Sequence, residues 1–174
     1  MANRDNPHGL RPCARTIEGG EPLIEYFSKD ASEATAFFIW DVVNRETDGY
    51  LADGGTPGTT TYTGVNLNYG AGATVTEHAV IVSPGAVYVA QDNADTDGFA
   101  LADMGLNCNL EFNAGSTTTL ISGHELDEST VQTTAALDVK LHKLWDVPDN
   151  AFGANADIVV TINASRFNAV VAGV

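Results

Sequence analysis

The sequence predicts an all-β fold, a single antiparallel β-barrel or β-sandwich-like domain with an extended N-terminal arm, and two observations predict it. About eight to ten short runs of alternating, β-branched or aromatic residues lie between clusters of Gly, Pro, Asn and Asp, the pattern of strands separated by turns. No stretch repeats its apolar residues at the period of a long amphipathic helix. At 174 residues the chain is long enough for one substantial core and short for two, so the arm is assigned to residues 1–20 and the β-rich domain to 21–174.

The clearest strands bracket the stretch Leu137–Asn163. Leu137, Val139, Leu141 and Trp145 fall on one side of a period-two ribbon, and Asp138, Lys140 and His142 on the other, which predicts a half-buried strand. Ile158, Val160 and Ile162 share a face within Ala156–Asn163 and predict a second. The connector Asp146–Asn155 is rich in Pro, Asn and Gly and too long for a two-residue turn, so it reads as an ordered surface loop of the kind that carries recognition.

Taken in order, Met1–Pro12 holds two prolines, a glycine and no apolar period, and reads as an extended arm that orders on a partner, with a disordered terminus as the alternative. Leu23–Phe27 and Ala34–Val43 are apolar bursts; the aromatic and β-branched content of the second predicts a strand. Asp53–Tyr62 is a Gly/Thr loop with a strand forming at its end. Val65, Leu67 and Tyr69 alternate with asparagines. Ala79–Val82 and Ala86–Ala90 flank Ser83-Pro84-Gly85, a strand–turn–strand with a bend or hairpin at its centre. Leu106, Cys108, Leu110 and Phe112 share a strand face, which makes Cys108 a core residue. His124–Ser129 reads as an acidic, solvated connector, Thr130–Ala136 has no period, and Ala164–Val174 is an edge strand or a tail.

Charge and motifs exclude several classes. The net charge of −15 opposes nucleic acid or an anionic membrane as partner. The basic residues cluster at the start: Arg4, Arg11 and Arg15 against Asp5 give the first fifteen residues a net +2, whereas 16–135 holds only Lys29 and Arg45 as cations. Two cysteines without CxxC spacing indicate neither a disulfide framework nor a zinc cluster. There is no secretory pattern and no apolar run of membrane-spanning length, so the expectation is a soluble protein that stays in the cytoplasm unless it leaves within an assembly. His8, His78, His124 and His142 lack metal-ligand spacing and read as surface or turn residues. GxSxG, GxGxxG and GK[ST] are missing. Asn93–Gly98 places oxygen ligands at alternate positions, with Asp92, Asp95 and Asp97 as weak calcium candidates. Met104 stands where an EF-hand needs its bidentate glutamate, so no metal is expected. Glu125, Asp127 and Glu128 are grouped only by clustering, and no catalytic residue or cofactor is assigned.

Several blocks in their order and spacing resemble the capsid decoration, or cement, proteins of tailed bacteriophages. They are the opening Met1–Pro12, the Ala34–Val43 strand ending in Asp-x-Val, Gly64-Val65, Val87–Ala90 and Gly105–Asn107. The longest runs from Ser122–Thr130 through Val147–Gly153 to Val160–Asn163. Trp40 stands where that family commonly has glycine, and the chain continues past Asn163 where relatives often stop. The resemblance implies a tulip-like β domain without enzymatic activity. It would bind the outer surface of an icosahedral capsid as a homodimer or homotrimer and hold neighbouring major capsid subunits together, on virions assembled in the host bacterial cytoplasm. Arg4, Asn6, Pro7, Leu10, Arg11, Pro12 and Arg15 would then grip the shell, and Pro148, Asp149, Asn150 and Phe152 would form a subunit contact. The residues leave two alternatives open: a calcium- or glycan-binding β module, with or without hydrolytic activity, and a virion protein elsewhere, such as a head-fibre base or tail component.

Overall fold

The structure, a computed structural model, describes residues 3–13, 16–95, 97–167 and 173. It is all-β, with one short 3-10 turn at Leu101–Asp103. Among the described residues eleven strands follow in chain order: β1 (Arg11–Pro12), β2 (Ile24–Lys29), β3 (Val42–Arg45), β4 (Leu51–Asp53), β5 (Gly64–Asn66), β6 (Thr76–Ile81), β7 (Tyr88–Gln91), β8 (Asn107–Glu111), β9 (Glu125–Gln132), β10 (Val139–Leu144) and β11 (Asp157–Ile162).

They form two bodies of sheet. The first is a closed barrel in the order β2-β4-β3-β5-β6, antiparallel except for the parallel contact of β2 with β4. The second is a six-stranded antiparallel sheet in the order β1-β7-β11-β10-β8-β9. An isolated bridge between Asp92 and Leu126 draws β9 back toward the end of β7, so this sheet curls on itself. Ser83-Pro84-Gly85 carries the chain from the barrel into the sheet and makes no hairpin, because β6 and β7 belong to different bodies.

Alternation explains the two cores. Val42 and Ile81 enter a large apolar cluster shared with Leu10, Tyr88, Leu110, Leu126, Val139, Leu141, Ile158 and Val160. Their chain neighbours Val43 and Val80 point the other way, into a smaller cluster with Phe37, Leu51 and Val82. Both faces of β3 and β6 are therefore covered.

The Leu137–Asn163 pair forms as expected, with a register shift between Leu141 and Lys143 that sets Leu144, and not Lys143, across from Ile158. Asp138, expected on the polar face, is fully buried. One of its oxygens accepts from the Tyr62 hydroxyl at 2.8 Å and the Gly58 N–H at 2.9 Å, and the other from the Leu110 N–H at 2.9 Å. Burial raises its pKa and these three donors oppose the rise.

Three other expectations are corrected. His124–Ser129 is no connector: Glu125–Gln132 is the edge strand β9, with Glu125 and Leu126 buried, Asp127 and Glu128 half-buried and Ser129 exposed, the partly charged surface an edge strand tolerates. Ala34–Val43 is not one strand. Trp40, at φ 74°, reverses the backbone, leaving Phe37 and Ile39 in single bridges and starting β3 at Val42. His8, His78 and His124 are buried, each with hydrogen-bond partners, and are not surface residues.

Replacing Asp138 would strand three buried donors from two bodies of structure. Asp138→Ala is expected to destabilise the protein by about 3 kcal/mol, read as a lower urea midpoint; a loss below about 1 kcal/mol would show that the donors find other acceptors.

Candidate functional site

The N-terminal arm and the Asp146–Asn155 loop, predicted separately, meet on one surface. Pro7 and Gly9 keep the arm out of regular structure, and its polar groups are met by the body instead. The Asn3 side chain donates to the Ala151 and Ala154 carbonyls at 2.8 Å each and accepts from the Ala151 N–H at 2.9 Å. Gln91 accepts from the Asn6 N–H at 2.7 Å and donates to the Arg4 carbonyl at 2.9 Å. His8 Nε2 lies 3.3 Å from Asp157 Oδ1.

Farther along, the arm is stitched to the core. The Gly9 N–H donates to the His124 carbonyl at 3.1 Å and the Leu10 N–H to the Trp40 carbonyl at 3.0 Å. β1 then pairs with β7. Gly9 has φ 65°, and a Cβ there would collide with Ser122 and the Trp40 carbonyl, so only glycine fits. Leu10 is 0% exposed within the large core. The arm is thus extended but docked, and Leu10 is corrected from a capsid contact to a core residue. Arg4, Asn6 and Pro7 remain exposed, Arg11 and Pro12 are half-buried, and Arg15 lies outside the described residues.

The loop holds its shape from within. Asn150 Nδ2 donates to the Trp145 and Asp157 carbonyls at 2.8 Å each, and its Oδ1 accepts from the Asp157 N–H at 3.0 Å. Its amide therefore closes the loop and is not available to a partner. Pro148, Asp149 and Phe152 face solvent. Between arm and loop lies a shallow cleft of about 200 Å³ lined by Arg4, Asn6, Arg11, Pro148 and Asp149, among others.

The weak calcium residues do not converge as ligands. Asp92 is buried at the end of β7, where its Oδ2 accepts from the Asn155 N–H at 3.0 Å and fixes the far end of the Asp146–Asn155 loop. Burial, opposed by that bond and reinforced by the nearby carboxylates of Glu128 and Asp95, pushes its carboxyl up to about 6. Asp95 and Asp97 are exposed. Among the described residues, no three His, Cys, Asp or Glu side chains group to hold a metal ion.

Sequence reasoning missed a second cluster, Asp41, Ser122 and His124, beside a cavity of about 370 Å³ that is also lined by Phe38 and Phe112. His124 Nδ1 accepts from the Val42 N–H at 3.3 Å, so Nε2 carries the ring proton and faces Asp41 Oδ1 at 3.4 Å. Burial lowers the imidazole pKa to about 3 and raises the Asp41 carboxyl to about 6, with Ser122 and the Phe38 N–H bonded to that carboxyl. Carboxylate, imidazole and hydroxyl are neighbours, but Nδ1 already accepts from the Val42 N–H and Nε2 already carries a proton, so neither ring nitrogen is free to take one from Ser122. The His-Glu pair inside an acidic run gave no signal of this, because Asp41 and Val42 lie some eighty residues away in sequence.

No protein-family model, curated protein or solved structure matches the chain.

Leu10→Ala is expected to lower stability by about 3 kcal/mol through the cavity it leaves, whereas Arg4→Ala should change it by less than about 0.5 kcal/mol. Equal urea midpoints for the two variants would mean that the arm is not part of the core.

The pH dependence of Asp92 has a definite sign. Its folded pKa lies above the ordinary carboxylate value, so the folded state binds more protons between about pH 4 and 6, and this group's contribution to stability grows as pH falls through that window. Buried His124 works in the opposite direction between about pH 6.5 and 3, so the two are separated by substitution. Asp92→Asn should be most favourable relative to wild type at pH 7.5 and lose that advantage at pH 4.5. A difference in urea midpoint that stays constant across these two pH values would count against a raised Asp92 pKa.

Proposed function

We propose that this chain is a structural virion protein without enzymatic activity, which binds the outside of an icosahedral phage capsid and cements neighbouring major capsid subunits. One observation carries the reading: the two segments expected to make shell contacts, far apart in sequence, line a single cleft, with Arg4, Pro148 and Asp149 presented outward. The geometry of Trp40 supports it as well. Its φ of 74° is a conformation that favours glycine, the residue that the resembling family commonly has at this place.

A shell repeats one binding site many times over. Two or three joined copies would turn a modest contact into strong attachment, because the second contact forms at high effective concentration. The arm's arginines suit capsid carboxylates, while the acidic body stays hydrated and repels free DNA.

The test is co-sedimentation with expanded, undecorated capsids assembled from the major capsid protein encoded with this chain. Deleting the whole arm would confound the result, since Leu10 belongs to the core. The exposed pair Arg4→Glu and Phe152→Ser should instead weaken capsid binding about tenfold or more while leaving the urea midpoint unchanged. Undiminished binding by this folded double variant, or no binding by the wild type, would overturn the proposal.

A further inference from the structure

We propose that the outer edge of β2 binds an extended basic polypeptide segment of another protein by adding it to the barrel as a strand. On one side β2 is fully paired, its six residues facing Thr76–Ile81 of β6. On the other side the barrel is completed by the single pair of Lys29 with Leu51 of β4. Among the described residues no strand pairs with Ile24–Ser28 on that side. Every second residue of a paired strand turns its N–H and C=O away from its neighbour, so this stretch offers a row of backbone donors and acceptors.

The side chains make the edge adhesive. Leu23, Ile24 and Tyr26 are exposed, the tyrosine by 68%, and Ile24 and Tyr26 share a face. Phe27 turns inward against the smaller core, with the Arg45 guanidinium 5.8 Å over its ring at the end of the open stretch. β proteins commonly blunt such an edge with lysine. The one lysine of β2, Lys29, is fully buried and donates to the Glu33 carbonyl at 2.7 Å, so it does not guard this edge.

Charge selects the occupant. Glu21 and Glu25 are exposed on and before the strand, Asp30 follows it, and Glu77 is exposed opposite Ser28. Arg45 is the exposed cation beside them. A second copy would set the same glutamates against each other and add its own −15. A segment with lysine or arginine between apolar residues meets opposite charge while its backbone continues the sheet and its apolar residues cover Ile24 and Tyr26.

Fluorescence anisotropy with a short labelled peptide of alternating lysine and valine tests this. The same peptide N-methylated on its valines, and again on its lysines, blocks one backbone edge at a time. Binding should saturate, fall about tenfold or more with one methylation pattern and survive the other, since alternate N–H groups point to opposite sides. The exposed substitution Glu25→Lys should weaken it several-fold, and a glutamate–valine peptide should not bind. No binding, equal binding by both methylated peptides, or equal binding of the acidic peptide would overturn the proposal. A concentration-dependent dimer in sedimentation, dissociated by the lysine–valine peptide, would overturn it by assigning the edge to a second copy. Capsid binding through the arm and loop does not enter these readouts, so the two proposals fail separately.

Discussion

The fold depends on one backbone junction at which four distant segments exchange hydrogen bonds. Gly9 and Leu10 donate to the His124 and Trp40 carbonyls, the Trp40 N–H donates to the Asn66 carbonyl, and the Ser122 N–H donates to the Ile39 carbonyl. Trp40 can accept and donate in these directions because its backbone is in the left-handed region, a conformation costing a non-glycine residue about 1–2 kcal/mol. That cost is offset by what the turn organises. Asn66 continues the network, donating to the Phe38 carbonyl at 2.7 Å and meeting His78 Nδ1 at 2.9 Å through its Oδ1. The barrel strands, the β9 edge and the N-terminal arm are thus joined through a few residues with no room to shift, as the contact of Gly9 with Ser122 requires.

Much of the core was legible because alternation survives wherever one strand face packs and the other meets solvent. Val139, Leu141, Cys108 and Leu110 are core residues for that reason. The rule loses its power in β11 and β5, where both faces are covered: Val159, Thr161 and Asn66 are buried beside the residues that the pattern selected. β9 escaped notice because its charged side chains resemble a loop, as those of an edge strand blunted by charge do. The arm and loop of the candidate site were both legible from Pro, Asn and Gly content. What the sequence could not reveal was their division of labour, because the partners of Leu10 are set by tertiary contact and those of Asn150 by the path the loop takes between Trp145 and Asp157.

The buried carboxylates follow from composition. A chain with 23 acidic and 8 basic residues has few cations with which to neutralise a carboxylate that folding encloses. Asp138, Asp41 and Asp92 are instead held by backbone N–H groups of Gly58, Leu110, Phe38 and Asn155. Such bonds do what an ion pair would not: each ties a particular main-chain position to the carboxylate, which gives an otherwise irregular segment one conformation. Burial raises the pKa of all three, helped at Asp41 and Asp92 by nearby carboxylates and opposed by these donors, so each carboxylate adds less stability at neutral pH than it would if protonated while still defining its loop.

That definition is most complete at the Asp146–Asn155 loop. Asp92 fixes its Asn155 end, Asn150 ties its Trp145 and Asp157 ends together, and Asn3 brings the arm against its crown. A loop left to fluctuate would lose conformational entropy on meeting a partner, roughly 1–2 kcal/mol for each residue ordered. Here the internal bonds have already imposed that loss during folding, and the large core sustains it. If this surface makes the proposed capsid contact, Arg4, Pro148 and Asp149 meet a rigid partner with little of the contact energy diverted to ordering the backbone.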